Sequence, residues 1–250
     1  MLSPAKWHER FLRQSNWTQN LRKHLFSKMP DDTEMKVLDV GCGTGALLPE
    51  LVMRFGKEVI GIDINVNYLD LARKYSYHTL LLGDAHKLPF LNNSFDVCLC
   101  HFLLLWVQNP QEVLYEMRRV TCKGGWVFAL AEPDYGGRID YPRGLIKLGD
   151  MQTQALIEQG ADPFIGRQLR GLFNQVNLVN VEVGVLGGLW DSQGDQVDFD
   201  SEWEVIHSDL SQIPIEPELL ENWKMIDAAA HLVQSRILYV PTFYAMGRVP

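Results

Sequence analysis

The sequence predicts an α/β fold, a mostly parallel β-sheet with helices on both faces, and three observations lead there. Short apolar runs alternate with segments of helical period through the first half of the chain, as repeated strand–helix–strand units require. The first of these runs ends in three alternating glycines, Gly41, Gly43 and Gly45, that open a helix. Such a turn marks the ligand-binding crevice at the carboxyl end of a parallel sheet. With 250 residues, 46% of them apolar, the chain can bury a full core as one domain spanning 1–250.

In chain order, apolar residues recur at helical spacing over residues 6–29 (Trp7, Phe11, Trp17, Leu21, Leu25 and Phe26), giving an amphipathic N-terminal helix with a break near Ser15, closed by Pro30. Strands are expected at 35–40, 58–63, 79–82, 95–100 and 126–131. Helices are expected between them at 46–55, 66–75 and 110–121. Past Pro133 the sequence Asp134-Tyr135-Gly136-Gly137 reads as a turn, followed by helices at 145–159 and 166–174 and a strand at 178–186. An acidic stretch at 191–200 leads into a helical segment over 202–235 carrying Trp203 and Trp223. The last strand, 237–249, contains Pro241 and is expected to bend or to lie at an edge.

The charge balance narrows the function. A net charge of -8 lacks the cationic surface that a phosphate backbone requires, so nucleic acid is not the expected partner. Cys42, Cys98, Cys100 and Cys122 form no C-x-x-C pair, and no His cluster stands at ligand spacing, which argues against both a disulfide framework and a structural zinc. The N-terminal segment mixes charge with aromatics and no stretch reads as a membrane span. A reduced, cytoplasmic protein is expected.

The glycine turn fits two ligands. The run from Gly41 to Ala46 satisfies the G-x-G-x-x-G/A dinucleotide fingerprint, and Asp63 lies about 20 residues on, where its carboxylate can take both ribose hydroxyls of an adenosine. Asp39, two residues before the first glycine, places a negative charge where a pyrophosphate would sit. That opposes a dinucleotide-dependent oxidoreductase and suits a ligand carrying an ammonium and a sulfonium. Asp84, at the end of the third strand, is placed to meet the exocyclic amine of adenine.

Asp39-x-Gly41-x-Gly43-x-Gly45, Gly61-Ile62-Asp63, Gly83-Asp84-Ala85, Leu88-Pro89-Phe90 and Ser94-Phe95-Asp96 resemble, in order, the motifs of class I S-adenosylmethionine-dependent methyltransferases. The resemblance covers about residues 35–135 and is strongest to the methyltransferase type 11 and ubiquinone/menaquinone-biosynthesis-like group. It implies a Rossmann-like, seven-stranded sheet whose antiparallel C-terminal strand inserts beside the fifth. It implies S-adenosylmethionine as cofactor, with Asp39 and the stretch Gly41, Cys42, Gly43 and Gly45 at its methionine part, Asp63 at the ribose and Asp84 at the adenine. Ile64 and Ala85 would sandwich the adenine ring. His101 would lie near the sulfonium, although it departs from the small or polar residue usual at that point.

Methyl transfer asks mainly for in-line approach of the acceptor in a dry site, so no catalytic residue is named outright. His101, Glu132, Asp134 and Tyr135, at or past strand ends, are the acid–base candidates. Residues 1–30 and an insertion at 188–235 lie outside the core of 35–135 and are expected to cap a small-molecule acceptor, with Arg13 or Arg22 reaching the methionine carboxylate. A non-catalytic nucleoside-binding protein would carry the same cofactor residues.

Overall fold

The computed structural model describes residues 3–31, 34–75, 79–187 and 196–250. Seven strands form one sheet: β1 (Val37–Val40), β2 (Val59–Asp63), β3 (Thr79–Leu82), β4 (Phe95–Cys100), β5 (Thr121–Pro133), β7 (Val179–Leu186) and β9 (Thr242–Arg248), in the order β3-β2-β1-β4-β5-β9-β7. β9 runs antiparallel to both its neighbours, β5 and β7. The 3-2-1-4-5-6 order of dinucleotide-binding sheets is therefore not adopted here.

Successive side chains of a strand point to opposite faces, and the continuous apolar runs use both. Val97 and Leu99 of β4 join a core with Leu21, Leu25 and Phe26 of α2 (Gln19–Phe26) and Leu48, Leu51 and Phe55 of α3 (Leu48–Phe55). Cys98 and Cys100, one residue out of phase, join the opposite core with α5 (Pro110–Val120) and α7 (Leu169–Gln175). Both cysteines are free thiols packed as small apolar side chains. α4 (Val66–Tyr75) completes the crossover from β2 to β3.

The N-terminal segment is two helices, α1 (Pro4–Trp17) and α2, broken at Thr18 rather than at Ser15. α2 buries four residues, whereas α1 buries only Ser15. The segment expected at 202–235 is also two helices, α8 (Gln196–Asp209) and α9 (Pro217–Leu232); its preceding residues 188–195 lie outside those described. Trp203 of α8 and Trp223 of α9 pack with Leu145, and with Leu148 and Ala155 of α6 (Ile146–Glu158), in a third apolar core.

The C-terminal strand is divided. Before Pro241, β8 (Ile237–Tyr239) pairs with β6 (Ile139–Tyr141) in a separate two-stranded ribbon; after it, β9 enters the main sheet between two strands, not at an edge. Buried charges tie ribbon to helices: Arg236 bonds Asp227 of α9 at 2.5 Å and Asp140 of β6 at 3.3 Å, and Asp227 accepts the Trp203 indole N–H at 2.8 Å. Among the described residues, no helix is long and apolar enough to cross a membrane.

Candidate functional site

The carboxyl ends of β1, β2 and β3 open onto a cleft of about 490 Å³, bounded by Gly41, Asp63, Ile64, Asp84, Ala85 and Trp106 among others. Gly41, Gly43 and Gly45 all have positive φ (72°, 54° and 79°). A Cβ on Gly41 would stand 2.6 Å from Leu103 Cδ1, and one on Gly43 3.1 Å from the Phe11 ring of α1, so the turn leaves no room for side chains. Its amides are tied to β2: Gly41 and Cys42 donate to the Ile62 carbonyl, at 2.8 and 3.0 Å.

Asp63 holds the turn from the end of β2. It accepts the Gly43 N–H at 2.8 Å and the Asn65 N–H at 2.8 Å and lines the cleft. Ile64 beside it is 72% exposed and Trp106 45% exposed, apolar surface at the cleft suited to a flat ring. Asp84 is fixed by a 2.7 Å contact with His86 Nδ1, which together with the His86 amide holds its carboxyl below the ordinary value.

Asp39 lies beneath the turn with 2% of its surface exposed. The charges of Asp63 and Arg22 act on it in opposite directions, Asp63 raising its carboxyl and Arg22 lowering it. Burial, reinforced by the negative charge of Asp63, pushes it from 3.8 to about 7. Cys42 is buried at the same place, its thiol driven well above the usual range by burial and these two acids.

The acid–base candidates separate. His101 is half-buried, its Nε2 2.9 Å from the Thr18 hydroxyl, and burial with the nearby Arg22 charge drives it down to about 3. Glu132 is fully buried and takes three backbone N–H groups of the segment after β4; burial pushes it up to about 8 against the pull of those donors. Asp134 caps its own turn and pairs with Arg167 at 2.5 Å. Tyr135, raised by burial, also borders a second hollow of about 570 Å³ with Ile146, Thr153 and Phe164, which contains none of the glycine turn. Arg22 does not reach toward a ligand: its guanidinium bonds Glu50 of α3 at 2.9 and 2.5 Å, the Ser15 carbonyl at 2.7 Å and Thr18. The pairings of His101 with Thr18, Glu132 with the 103–105 amides, Asp134 with Arg167 and Arg22 with Glu50 are not visible in local sequence, because the partners lie 27 to 83 positions apart.

α1 lies across the turn. His8 Nδ1 stands 2.8 Å from the Thr44 hydroxyl, Phe11 meets Gly43 and Tyr68, and Lys6 pairs with Glu204 of α8 at 3.1 Å.

A family model described as a methyltransferase domain matches residues 38–129, from β1 into β5. The chain is 33% identical over 168 residues to the demethylmenaquinone methyltransferase of Bacillus velezensis, a match covering 59% of this chain and 72% of that one. It is 35% identical over 152 residues to an uncharacterized methyltransferase of Schizosaccharomyces pombe, covering 54% of each, so it spans about half the length of that relative. Among solved structures, the complex of the Haloferax volcanii Trm112 methyltransferase activator with a methyltransferase matches over 99% of this chain and 96% of that one (TM-score 0.62, 18% identity). A phosphoethanolamine-type N-methyltransferase of Haemonchus contortus with S-adenosylhomocysteine matches over 96% and 57% (TM-score 0.62, 15% identity). At these identities the structural likeness carries the fold alone. With the glycine turn inside the matched family region and nearly three quarters of the Bacillus velezensis enzyme covered, the chain belongs to the methyltransferase-domain family, in the type 11 group of class I S-adenosylmethionine-dependent methyltransferases.

Proposed function

We propose that the protein transfers a methyl group from S-adenosylmethionine to a small molecule, in a chamber between the glycine turn, α1 and the helices of the third core. The observation that carries this reading is Asp39, a carboxylate 2% exposed beside a turn of three glycines with positive φ. A carboxylate so little exposed is costly to ionise, and a ligand cation beside it offsets that cost. The methionine ammonium of the cofactor fits it and a pyrophosphate does not. Asp63 then takes the ribose hydroxyls, Asp84 the adenine amine, and Ile64 with Ala85 the ring faces.

When bound, the cofactor supplies an electrophilic methyl group on a positively charged sulfur. The protein's task is to align the acceptor and exclude water. α1 serves as the lid: it buries one residue where α2 buries four, and its contacts to the glycine turn and to α8 place it over the cleft. On the acceptor side, Arg10 of α1, Tyr135, and Glu202 and Asp209 of α8 form a polar wall. Asp209 feels the charge of Arg10 and is raised by burial to about 6; Glu202 feels Arg10 too and is raised by burial.

Calorimetry with S-adenosylmethionine and S-adenosylhomocysteine, followed by mass analysis of products from a panel of amine, hydroxyl and carbon-acid acceptors, tests the reading. Binding of both ligands and a methylated product are expected. Failure to bind either ligand overturns it, and binding with no product across a broad panel favours a non-catalytic nucleoside-binding protein. Ligand binding should also slow hydrogen exchange in 4–17 and 196–209; protection confined to 37–106 removes the lid.

No proton-transfer residue is needed among the candidates. His101 is too weak a base once driven to about 3, and Tyr135 stays protonated at neutral pH. His101→Ala and Tyr135→Phe should each keep turnover within about a hundredfold of the parent enzyme, the low end of what general acid–base catalysis contributes. A loss of a thousandfold or more in kcat, with ligand affinities intact, would make that residue catalytic.

A further inference from the structure

Glu132 ends the β5 run Leu130-Ala131-Glu132-Pro133, where an acid at the carboxyl end of a strand ordinarily faces substrate. Here it faces backbone. Its Oε1 accepts the N–H groups of Leu103 and Leu104 at 3.0 and 2.9 Å, and its Oε2 that of Leu105 at 3.2 Å. Three successive amides converge because Phe102 takes φ +52° and Leu103 returns to right-handed backbone to begin the 3₁₀ turn Leu104–Trp106. Alternating handedness folds consecutive N–H groups into an anion-binding nest. The first amides of a helical turn have no partner of their own, and Glu132 supplies it. Phe102 N–H adds a 2.9 Å bond to the Ala131 carbonyl, so the segment is fastened along the end of β5.

What Glu132 fastens is one wall of the cofactor cleft. Leu103 packs on Gly41, where a Cβ would collide with it at 2.6 Å, and Leu103, Trp106 and Val107 line the cleft opposite Ile64 and Ala85. The register of β5 on β9 shifts between Ala129 and Glu132, an irregularity of the kind that re-aims a side chain.

We propose that Glu132 is a positioning residue that sets cofactor affinity by holding the 103–105 backbone, and that it takes no part in proton transfer. This rests on the methyltransferase reading of the cleft. Gln and Met are the informative replacements: the amide oxygen of Gln keeps the Leu103 and Leu104 bonds but sets its NH₂ against the Leu105 N–H, whereas Met fills the volume and accepts none of the three.

The test is calorimetric titration of wild type, Glu132→Gln and Glu132→Met with S-adenosylmethionine, alongside amide exchange and thermal unfolding. Affinity is expected to fall in that order, about threefold for Gln and tenfold or more for Met. Exchange at Leu103, Leu104 and Leu105 should rise ahead of the rest of the chain. With an acceptor in hand, saturating cofactor should restore kcat to within about threefold in Glu132→Gln. Unchanged affinity in folded variants overturns the proposal, as does a Gln variant that binds normally and has lost turnover. If Glu132→Met does not fold, the Gln variant decides alone. If the wild type binds no S-adenosylmethionine, the methyltransferase reading falls, while faster exchange confined to the three amides would still identify Glu132 as their anchor and unchanged exchange would dismiss it.

Discussion

Asp39→Asn is expected to lose S-adenosylmethionine affinity by roughly a hundredfold while the ligand-free protein becomes more stable. The lost term is a charge-assisted contact with the ligand ammonium in a buried site, and about 3 kcal/mol of such contact corresponds to that factor. The gain comes from the same burial. A carboxyl raised from 3.8 to about 7 holds its proton more tightly folded than unfolded. Its unfavourable contribution is absent below pH 3.8, grows as pH rises through that window, and is complete above about 7, reaching about 4 kcal/mol. Asparagine removes it. At pH 8 the variant should therefore melt several degrees higher than the parent without ligand, since about 1 kcal/mol moves a chain of this size by 2–4 °C. In the parent, affinity for the cofactor should rise with pH up to about 7 as Asp39 ionises, and the variant should lack that step. Thermal scans and calorimetry between pH 5 and 8 check both, and a variant that is destabilised yet binds normally would remove Asp39 from the site.

Asp63→Ala is expected to weaken the same ligand by about tenfold to a hundredfold, from loss of an ionised acceptor for the ribose hydroxyls worth about 1.5–3 kcal/mol. Its effect on stability has two opposed parts, because burial raises the Asp63 carboxyl above its ordinary value against the pull of its amide bonds. Asp63 also accepts the Gly43 and Asn65 amides at 2.8 Å each, and removing it frees both, at about 1 kcal/mol per bond. The two substitutions thus share a binding defect. Calorimetry on a folded Asp63→Ala that binds like the parent would place the ribose elsewhere.

Much of this site is legible in the chain because its causes are local. Positive φ at Gly41, Gly43 and Gly45 is a property of residues without a Cβ, and the two-residue and 3.6-residue periods that separate strands from helices need no knowledge of the partner. Asp63 falls at the end of β2 by counting from the glycines, and Asp39 was informative because charge beside a phosphate site is unfavourable in any fold. Seven strands with an antiparallel C-terminal strand beside the fifth came with the motifs of the family, and the full order β3-β2-β1-β4-β5-β9-β7 from the structure.

Tertiary structure alone decided which groups the acids and cations meet. Glu132 has the same local signature whether it faces a substrate or the amides of Leu103, Leu104 and Leu105. Arg22, read as a candidate for the methionine carboxylate, is held by Glu50 from another helix, and His101 meets Thr18 across 83 positions. The ribbon of β6 and β8 joins three-residue strands nearly a hundred positions apart, too short to show a period, and Pro241 bends the chain between two sheets where sequence left a bend and an edge both open. The physical reason is common to all of these. Backbone period and glycine freedom are set within a few residues, whereas the fate of a buried polar group depends on which donor or acceptor packing brings to it from elsewhere in the chain.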